Sequence, residues 1–292
     1  MLFTSMLGDK PFAKDPAVIN LNGKYFLYYS LFSDQILRVG IATSDDMENW
    51  TEVGLLPITQ VCEKSGIGAP GAVIRDNVVH LFYQTYGQGK KDSICHAWSY
   101  DGVNFEKDPT NPIYRPTDDW CSGRAIDADV ALFKGNYYLY FATRDHSGKI
   151  QKIGVASTPS DSDFSRDSWS QCCKKSIVAP EMQWEQECIE APATVEYNGK
   201  LYMFYGGAYN CSPQQIGCAV STDGVNFEKI SSLPLITNGE KGSWNACESG
   251  HPYSFLDNDG KYWLFYQGFD GTTWRITKTR IYFDENGFPF FD

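Results

Sequence analysis

The sequence predicts an all-β fold, a five-bladed β-propeller with four antiparallel strands per blade. Three observations carry that prediction. A unit of apolar strand, tight turn and Tyr-rich strand recurs five times along the chain. No stretch sustains the 3.6-residue apolar period of a helix. The composition, 15% aromatic with 26 Gly and 14 Pro in 292 residues, suits many short strands joined by turns.

Taken in order, the repeated units are residues 17–29 around Asn22-Gly23, a weaker copy at 72–83 around Asp76-Asn77, 129–141 around Lys134-Gly135, 193–205 around Asn198-Gly199, and 254–266 around Asp259-Gly260. Gly23, Asn77, Gly135, Gly199 and Gly260 are spaced by 54, 58, 64 and 61 residues, so five units fill the chain. Gly and Asn between alternating strands form hairpin turns, because they adopt left-handed backbone at low cost. A third strand of small and apolar residues follows at 39–43, 153–157 and 216–220. A second near-duplicate closes the units: Ser99-Tyr100-Asp101-Gly102-Val103-Asn104-Phe105, Ser221-Thr222-Asp223-Gly224-Val225-Asn226-Phe227, and more loosely residues 44–50. It reads as a structural turn into an outer strand. Four strands per sixty residues, five times over, make one closed domain spanning 1–292.

Charge and targeting exclude several functions. The chain carries 25 basic and 36 acidic residues, a net charge of −11, with no Lys/Arg block, which disfavours nucleic acid and anionic membranes as partners. No apolar run approaches the roughly 18 residues of a spanning helix. Met1 to Gly8 lacks the basic start and apolar stretch of a signal peptide. The expectation is a soluble cytoplasmic protein, or a secreted or periplasmic one whose leader has been removed. Nine cysteines without CxxC spacing read as reduced thiols rather than a disulfide framework.

The inner strands of a propeller begin at one mouth of the central channel, the default ligand site. The segments just upstream of the five first strands contain Asp15-Pro16, Ala69-Pro70, Asp127-Ala128, Glu190-Ala191-Pro192 and His251-Pro252. Asp15 and Asp127 stand eight residues before their turn glycines, Glu190 and His251 nine. Three carboxylates and a histidine at matched places would face one axis, and like charges gathered so point to catalysis or a cation. Glycoside hydrolysis needs one protonated acid and one ionised carboxylate. Asp15 in blade one lies across the ring from Glu190 in blade four, leaving room for sugar and water. Asp127 in blade three adjoins Glu190, and its charge would keep the glutamate protonated. This assigns Glu190 as general acid, Asp15 as general base and Asp127 as pKa modulator, with inversion of configuration.

These residues resemble the five-bladed propeller glycosidases of glycoside hydrolase family 43. Asp15-Pro16-Ala17-Val18 is similar to the family's first-blade base motif, Ala69-Pro70 to its second-blade motif, 125–130 to the third-blade segment whose leading Asp tunes the acid, and Glu190-Ala191-Pro192 to the segment carrying that acid. The resemblance implies cleavage of arabinofuranosyl or xylosyl linkages in plant-type glycans, with a carbohydrate as partner and no required cofactor. Gly250-His251 resembles the fifth-blade histidine below the sugar, which implies room for a water-bound calcium at His251 in the central channel. Two positions depart from the family: Ala128 replaces a common proline, and Gly71 stands where an acid is common. Fructan-hydrolysing propellers share the three-acid plan, and Glu187-Cys188 resembles their Glu-Cys pair at another offset.

Sugar contacts are expected from Trp120, Arg124, Trp244, Glu248, His251 and Arg275, since aromatic faces stack on sugar rings and Arg donates to hydroxyls. A propeller phosphorylase and a non-catalytic glycan-binding propeller are the alternatives. Gly66-Ile67-Gly68-Ala69-Pro70-Gly71 matches GxGxxG but opens a strand without the helix that nucleotide binding needs.

Overall fold

Each repeated unit folds into one antiparallel meander. The computed structural model describes residues 1–292 as twenty strands in five four-stranded sheets, each in chain order from the inner to the outer strand. Blade one is β1 (Lys14–Leu21), β2 (Lys24–Ser33), β3 (Ile36–Ser44) and β4 (Thr51–Leu55). Blade two is β5 (Ile67–Arg75), β6 (Val78–Thr85), β7 (Ile94–Ser99) and β8 (Glu106–Lys107). Blade three is β9 (Ile126–Phe133), β10 (Asn136–Arg144), β11 (Gln151–Pro159) and β12 (Ser170–Gln171). Blade four is β13 (Ile189–Tyr197), β14 (Lys200–Gly207), β15 (Gln215–Ser221) and β16 (Phe227–Lys229). Blade five is β17 (Glu248–Leu256), β18 (Tyr262–Phe269), β19 (Trp274–Phe283) and β20 (Pro289–Phe291).

The first hairpins follow the turn chemistry of the sequence. Asn22-Gly23, Asp76-Asn77, Lys134-Gly135 and Asn198-Gly199 all have both turn residues at positive φ, the type I′ signature that matches strand twist. The fifth hairpin is longer, since Leu256 pairs with Tyr262 across five loop residues. The closing turns repeat one network. Ser99 and Ser221 hydroxyls accept from the backbone N–H groups of Asp101 and Gly102, and of Asp223 and Gly224, while each Asp accepts from the two N–H groups that follow the glycine and from an Asn side chain. In the looser copy Met47 takes the glycine's place at φ +58. Tyr28 and Tyr140 donate their hydroxyls to Gly102 O and Gly224 O of the following blade, at 2.9 and 2.8 Å. The Tyr-rich second strands are thus blade-to-blade packing.

What positions the site is an irregularity that every inner strand shares. Pairing with the second strand slips between Lys14 and Ala17, Gly68 and Gly71, Ile126 and Asp129, Glu190 and Ala193, and Gly250 and Tyr253. Inside each slip one non-glycine residue has left-handed backbone: Asp15 (φ +53), Ala69 (+42), Asp127 (+54), Ala191 (+52) and His251 (+42). Four of the displaced N–H groups find an acceptor on the preceding blade. Asp15 donates to Gln267 Oε1 (2.9 Å), Ala69 to Ser30 Oγ (2.8 Å), Asp127 to Gln84 Oε1 (2.8 Å) and His251 to Gln214 Oε1 (3.0 Å). The tie from Gln267 joins blade five to blade one, and Phe3 adds a backbone bridge to Ile276 on β19.

The bulges correct the equivalence expected from the sequence. The left-handed residue of blade four is Ala191, and Glu190 sits one place earlier, opposite Gly206 as Lys14 is opposite Ser30. Glu190 is therefore not the positional match of Asp15 and Asp127, whereas His251 is, its extra residue being absorbed by the longer fifth hairpin. The Gly71 departure also has a steric reason: a Cβ there would lie 2.1 Å from Ala128 O, so no acid fits.

Alanine carries the bulge strain without a compensating side chain, since left-handed backbone costs an L-residue about 1–2 kcal/mol. Ala69→Gly is expected to be neutral or to stabilise by up to about 1 kcal/mol, although the same change in an ordinary strand destabilises. Denaturant unfolding of the variant measures this; a loss above about 1 kcal/mol would show that the bulge is unstrained.

Candidate active site

The bulges bring their side chains to one mouth of the channel, around a cavity of about 240 Å³. Its polar lining includes Lys14, Asp15, Arg124, Asp127, Arg144, Gln151, Glu190, Tyr209, Asn210 and His251, and its apolar wall includes Phe12, Phe32 and Tyr86. The opposite mouth opens on a cavity of about 320 Å³ lined mainly by apolar residues such as Val18, Ala72, Val130, Val195 and Tyr253. The charged chemistry is concentrated at the first mouth. Asp15, Asp127 and Glu190 are each only 6–7% exposed there.

The three acids sit in different surroundings. Asp15 Oδ1 lies 3.2 Å from His251 Nδ1 and 4.0 Å from Lys14 Nζ. Burial pushes its carboxyl up, but His251, Lys14 and the Ser30 hydroxyl together more than offset that, and its pKa falls below the ordinary value. Asp127 has no such partner at contact distance. Burial is the main cause that raises its pKa, Glu190 and Asp15 add to the rise, and His251 and Arg124 only partly oppose it. Glu190 accepts from two amides, Gln151 Nε2 at Oε2 and Gln214 Nε2 at Oε1 (2.6 Å). Lys14 stands between these groups, donating to Asn210 Oδ1 at 3.2 Å and lying 4.4 Å from the Trp274 ring centre. Burial acts to lower its pKa, but four nearby carboxylates outweigh that and raise it.

Of the residues expected from the sequence, the cavity gathers Asp15, Asp127, Glu190, Arg124 and His251. The other sugar contacts need correction. Trp120 packs on Gly154, where a Cβ would meet the indole at 2.9 Å, with Lys152 over its ring. Trp244 covers Gly268 and lies 5.9 Å from Tyr266. Neither lines the cavity, because Trp120 packs on the third strand of its blade and Trp244 on the second. Arg275 pairs with Asp270 at 2.5 Å, away from the mouth. Glu248 is fully buried behind the pocket, accepting from Gln267 Nε2 and the Cys211 N–H at 2.7 Å each. Glu187, of the Glu-Cys pair, is exposed and outside the cavity lining, while Cys188 is buried beside Glu190. Lys14, Arg144, Gln151, Tyr209 and Asn210 complete the lining without being expected there as site residues, and of these Lys14 adjoins Asp15 in the sequence.

The channel was expected to leave room for calcium at His251. No three or more His, Cys, Asp or Glu side chains are arranged to hold a metal ion. His251 turns Nδ1 to Asp15, so the side chains present do not fit a protein-ligated calcium centre.

Two residues beyond Asp127, the buried Asp129 accepts from the Thr194 N–H (3.0 Å) and hydroxyl (2.5 Å) at one oxygen. Burial pushes its pKa up to about 7, and the Thr194 bonds only partly oppose this. The folded state therefore holds a proton that the unfolded chain has released, and stability is lost as pH rises from about 4 through 7. Asp129→Asn keeps an acceptor for Thr194 and removes the charge. Its melting temperature relative to the parent is expected to be higher at pH 8 than at pH 5; equal differences at the two pH values would refute the protonated Asp129.

The family model for glycosyl hydrolases family 43 matches residues 10–289. Among curated proteins, 115 residues are 29% identical to a beta-1,2-mannobiose phosphorylase of Thermoanaerobacter sp. (strain X514), covering 34% of this chain and 37% of that protein. A stretch of 162 residues is 28% identical to a probable arabinan endo-1,5-alpha-L-arabinosidase A of Aspergillus clavatus, covering 50% of this chain and 48% of that protein. The matches thus span less than half the length of these curated relatives. Among solved structures, a thermostable family-43 glycoside hydrolase superposes with a TM-score of 0.79 at 20% identity, covering 99% of this chain and 96% of that one. An endo-1,4-beta-xylanase from Bacteroides thetaiotaomicron gives 0.78 at 22% identity, covering 100% and 97%. At such identities the likeness establishes the propeller.

Proposed function

The chain belongs to glycosyl hydrolase family 43, and on that premise we propose that it is an inverting glycosidase that releases arabinofuranosyl or xylosyl units. The observation that carries this reading is the convergence of Asp15, Asp127 and Glu190 at one small mouth, with Asp15 and Asp127 shifted in opposite directions. A cavity of about 240 Å³ is smaller than the roughly 300–1,000 Å³ of drug-sized sites and suits a single sugar ring. Phe12, Phe32 and Tyr86 offer apolar faces to it, and Arg124, Arg144 and Asn210 offer donors and an acceptor for hydroxyls.

Asp15, held ionised beside His251 and Lys14, takes a proton from a water placed against the anomeric carbon. As the water oxygen bonds to that carbon, the bond to the leaving oxygen breaks, and Glu190 delivers its proton to that oxygen. Asp127, facing Glu190 across the pocket, takes the modulator's part; its own pKa is raised mainly by burial, with the charges on Glu190 and Asp15 adding to the rise. Attack and departure on opposite faces invert the anomeric centre.

A second reading, glycoside phosphorolysis, is favoured by Lys14, Arg124 and Arg144 around the same cavity and by the partial match to a phosphorylase. Phosphate would then replace water as nucleophile, with a sugar phosphate as product.

On aryl α-L-arabinofuranosides and β-D-xylosides, Asp15→Ala is expected to lose roughly 10²–10⁴-fold in kcat. Glu190→Gln should lose as much on poor leaving groups and far less on dinitrophenyl glycosides, which depart without a proton. Full activity of both variants would overturn the roles. Proton NMR of the first-formed product reports its anomeric configuration, and phosphate-dependent release of sugar phosphate would move the assignment to the second reading.

A further inference from the structure

The mechanism leaves two buried amides unexplained. Gln151, the first residue of β11, and Gln214, just before β15, are both 0% exposed. Each directs an amide N–H at a different oxygen of Glu190. Neither amide can be turned around. Gln151 Oε1 accepts from Arg124 Nη1 (3.2 Å) and Arg144 Nε (2.9 Å), and Gln214 Oε1 accepts the His251 N–H (3.0 Å). A flip would set amide hydrogens against those donors and an oxygen against the carboxylate.

The surrounding backbone is shaped for Gln214. A Cβ on Gly206 would lie 2.8 Å from its Cδ, and one on Gly250 would lie 1.9 Å from its Oε1. Neither glycine has positive φ, so space for this side chain, rather than backbone conformation, excludes larger residues there. Gln214 also links the two halves of the site, since His251, whose N–H it accepts, holds Asp15 through Nδ1.

We propose that Gln151 and Gln214 are positioning residues that clamp Glu190 in the geometry of its ionised carboxylate, so that the clamp is fully satisfied only as Glu190 gives its proton to the leaving oxygen. A protonated carboxyl carries a hydrogen on one oxygen and meets two N–H donors imperfectly; the carboxylate accepts both. The contacts therefore tighten toward the transition state, which accelerates the chemical step rather than substrate binding. Arg124 and Arg144 reinforce the clamp by polarising Gln151.

This inference rests on the acid role of Glu190, and its test separates the two. Gln151→Met and Gln214→Met keep volume and remove the donors. Each is expected to lower kcat by roughly ten- to a hundredfold with KM within about twofold, more on poor leaving groups than on dinitrophenyl glycosides. The alkaline limb of the pH–rate profile should move to higher pH, because donors to a carboxylate favour its charged form. The acids facing Glu190 are Asp127, Asp15 and Glu248, the cations Lys14, Arg124 and Arg144, with His251, Cys188 and Tyr209 alongside; Gln151→Met touches neither Asp15 nor His251, so a shift common to both variants belongs to Glu190, whereas Gln214→Met also removes the acceptor of the His251 N–H. If Gln214→Met does not fold, Gly206→Ala displaces the same side chain. If the parent turns over no glycoside, the functional reading fails, and the clamp is read directly by carbon-13 NMR of labelled glutamate, the Glu190 signal being identified by its loss in Glu190→Gln. Titration of that signal at higher pH in the variants supports the clamp. Unchanged kcat in active variants, a loss confined to KM, or unchanged titration in both would overturn it.

Discussion

A backbone N–H displaced from its ladder and accepted by a side chain of the preceding blade is the interaction on which this molecule depends. Left-handed backbone at Asp15, Ala69, Asp127 or His251 costs about 1–2 kcal/mol, and a buried N–H without an acceptor costs about 1–3 more. Such bulges persist only where their surroundings over-determine them. Gln267, Ser30, Gln84 and Gln214 supply that constraint. Each tie holds two blades together and turns a side chain toward the mouth, so the ring and the pocket have one origin.

Charge is then divided among nearly identical acids by neighbours. Asp15 and Asp127 occupy the same register position, are equally buried and share a conformation. They differ because Asp15 touches His251 and lies near Lys14, whereas Asp127 faces other carboxylates. Gathering such charge is tolerable because Lys14, Arg124 and Arg144 stand in the same wall. Glu248, without access to the pocket, shows the alternative: burial pushes its pKa up to about 7 despite Lys14.

Much of the fold was legible in the chain, because a two-residue turn is a local decision. Asn22-Gly23 and Asn198-Gly199 form the hairpins their residues dictate, and the Ser-x-Asp-Gly segments fold into one network. The upstream acids were legible as well, since inner-strand starts must share a mouth. The tryptophans were misread, although the period itself held the clue. Trp120, Trp184 and Trp244 are spaced by 64 and 60 residues, matching the hairpins, and each covers a glycine of its own blade. A tryptophan that returns with the repeat onto a glycine of its own blade is scaffold. Asp15, Asp127 and His251 return with the repeat as well, but in the bulges of the inner strands, and they form the site; Lys14 and Asn210 have no such recurrence.

The sequence by itself determined the all-β class, the five units, their hairpins and closing turns, and the acids that open the inner strands, because each depends on residues close in the chain. Only the tertiary structure decided that Ala191 rather than Glu190 takes the bulge, that Glu190 is held by two glutamines 39 and 24 residues away, and that Asp15 and Asp127 shift in opposite directions. Those outcomes depend on which blades become neighbours when the ring closes, where contacts join residues as distant as Asp15 and Gln267, 252 positions apart. Local rules determine the blade; closure of the ring determines the site.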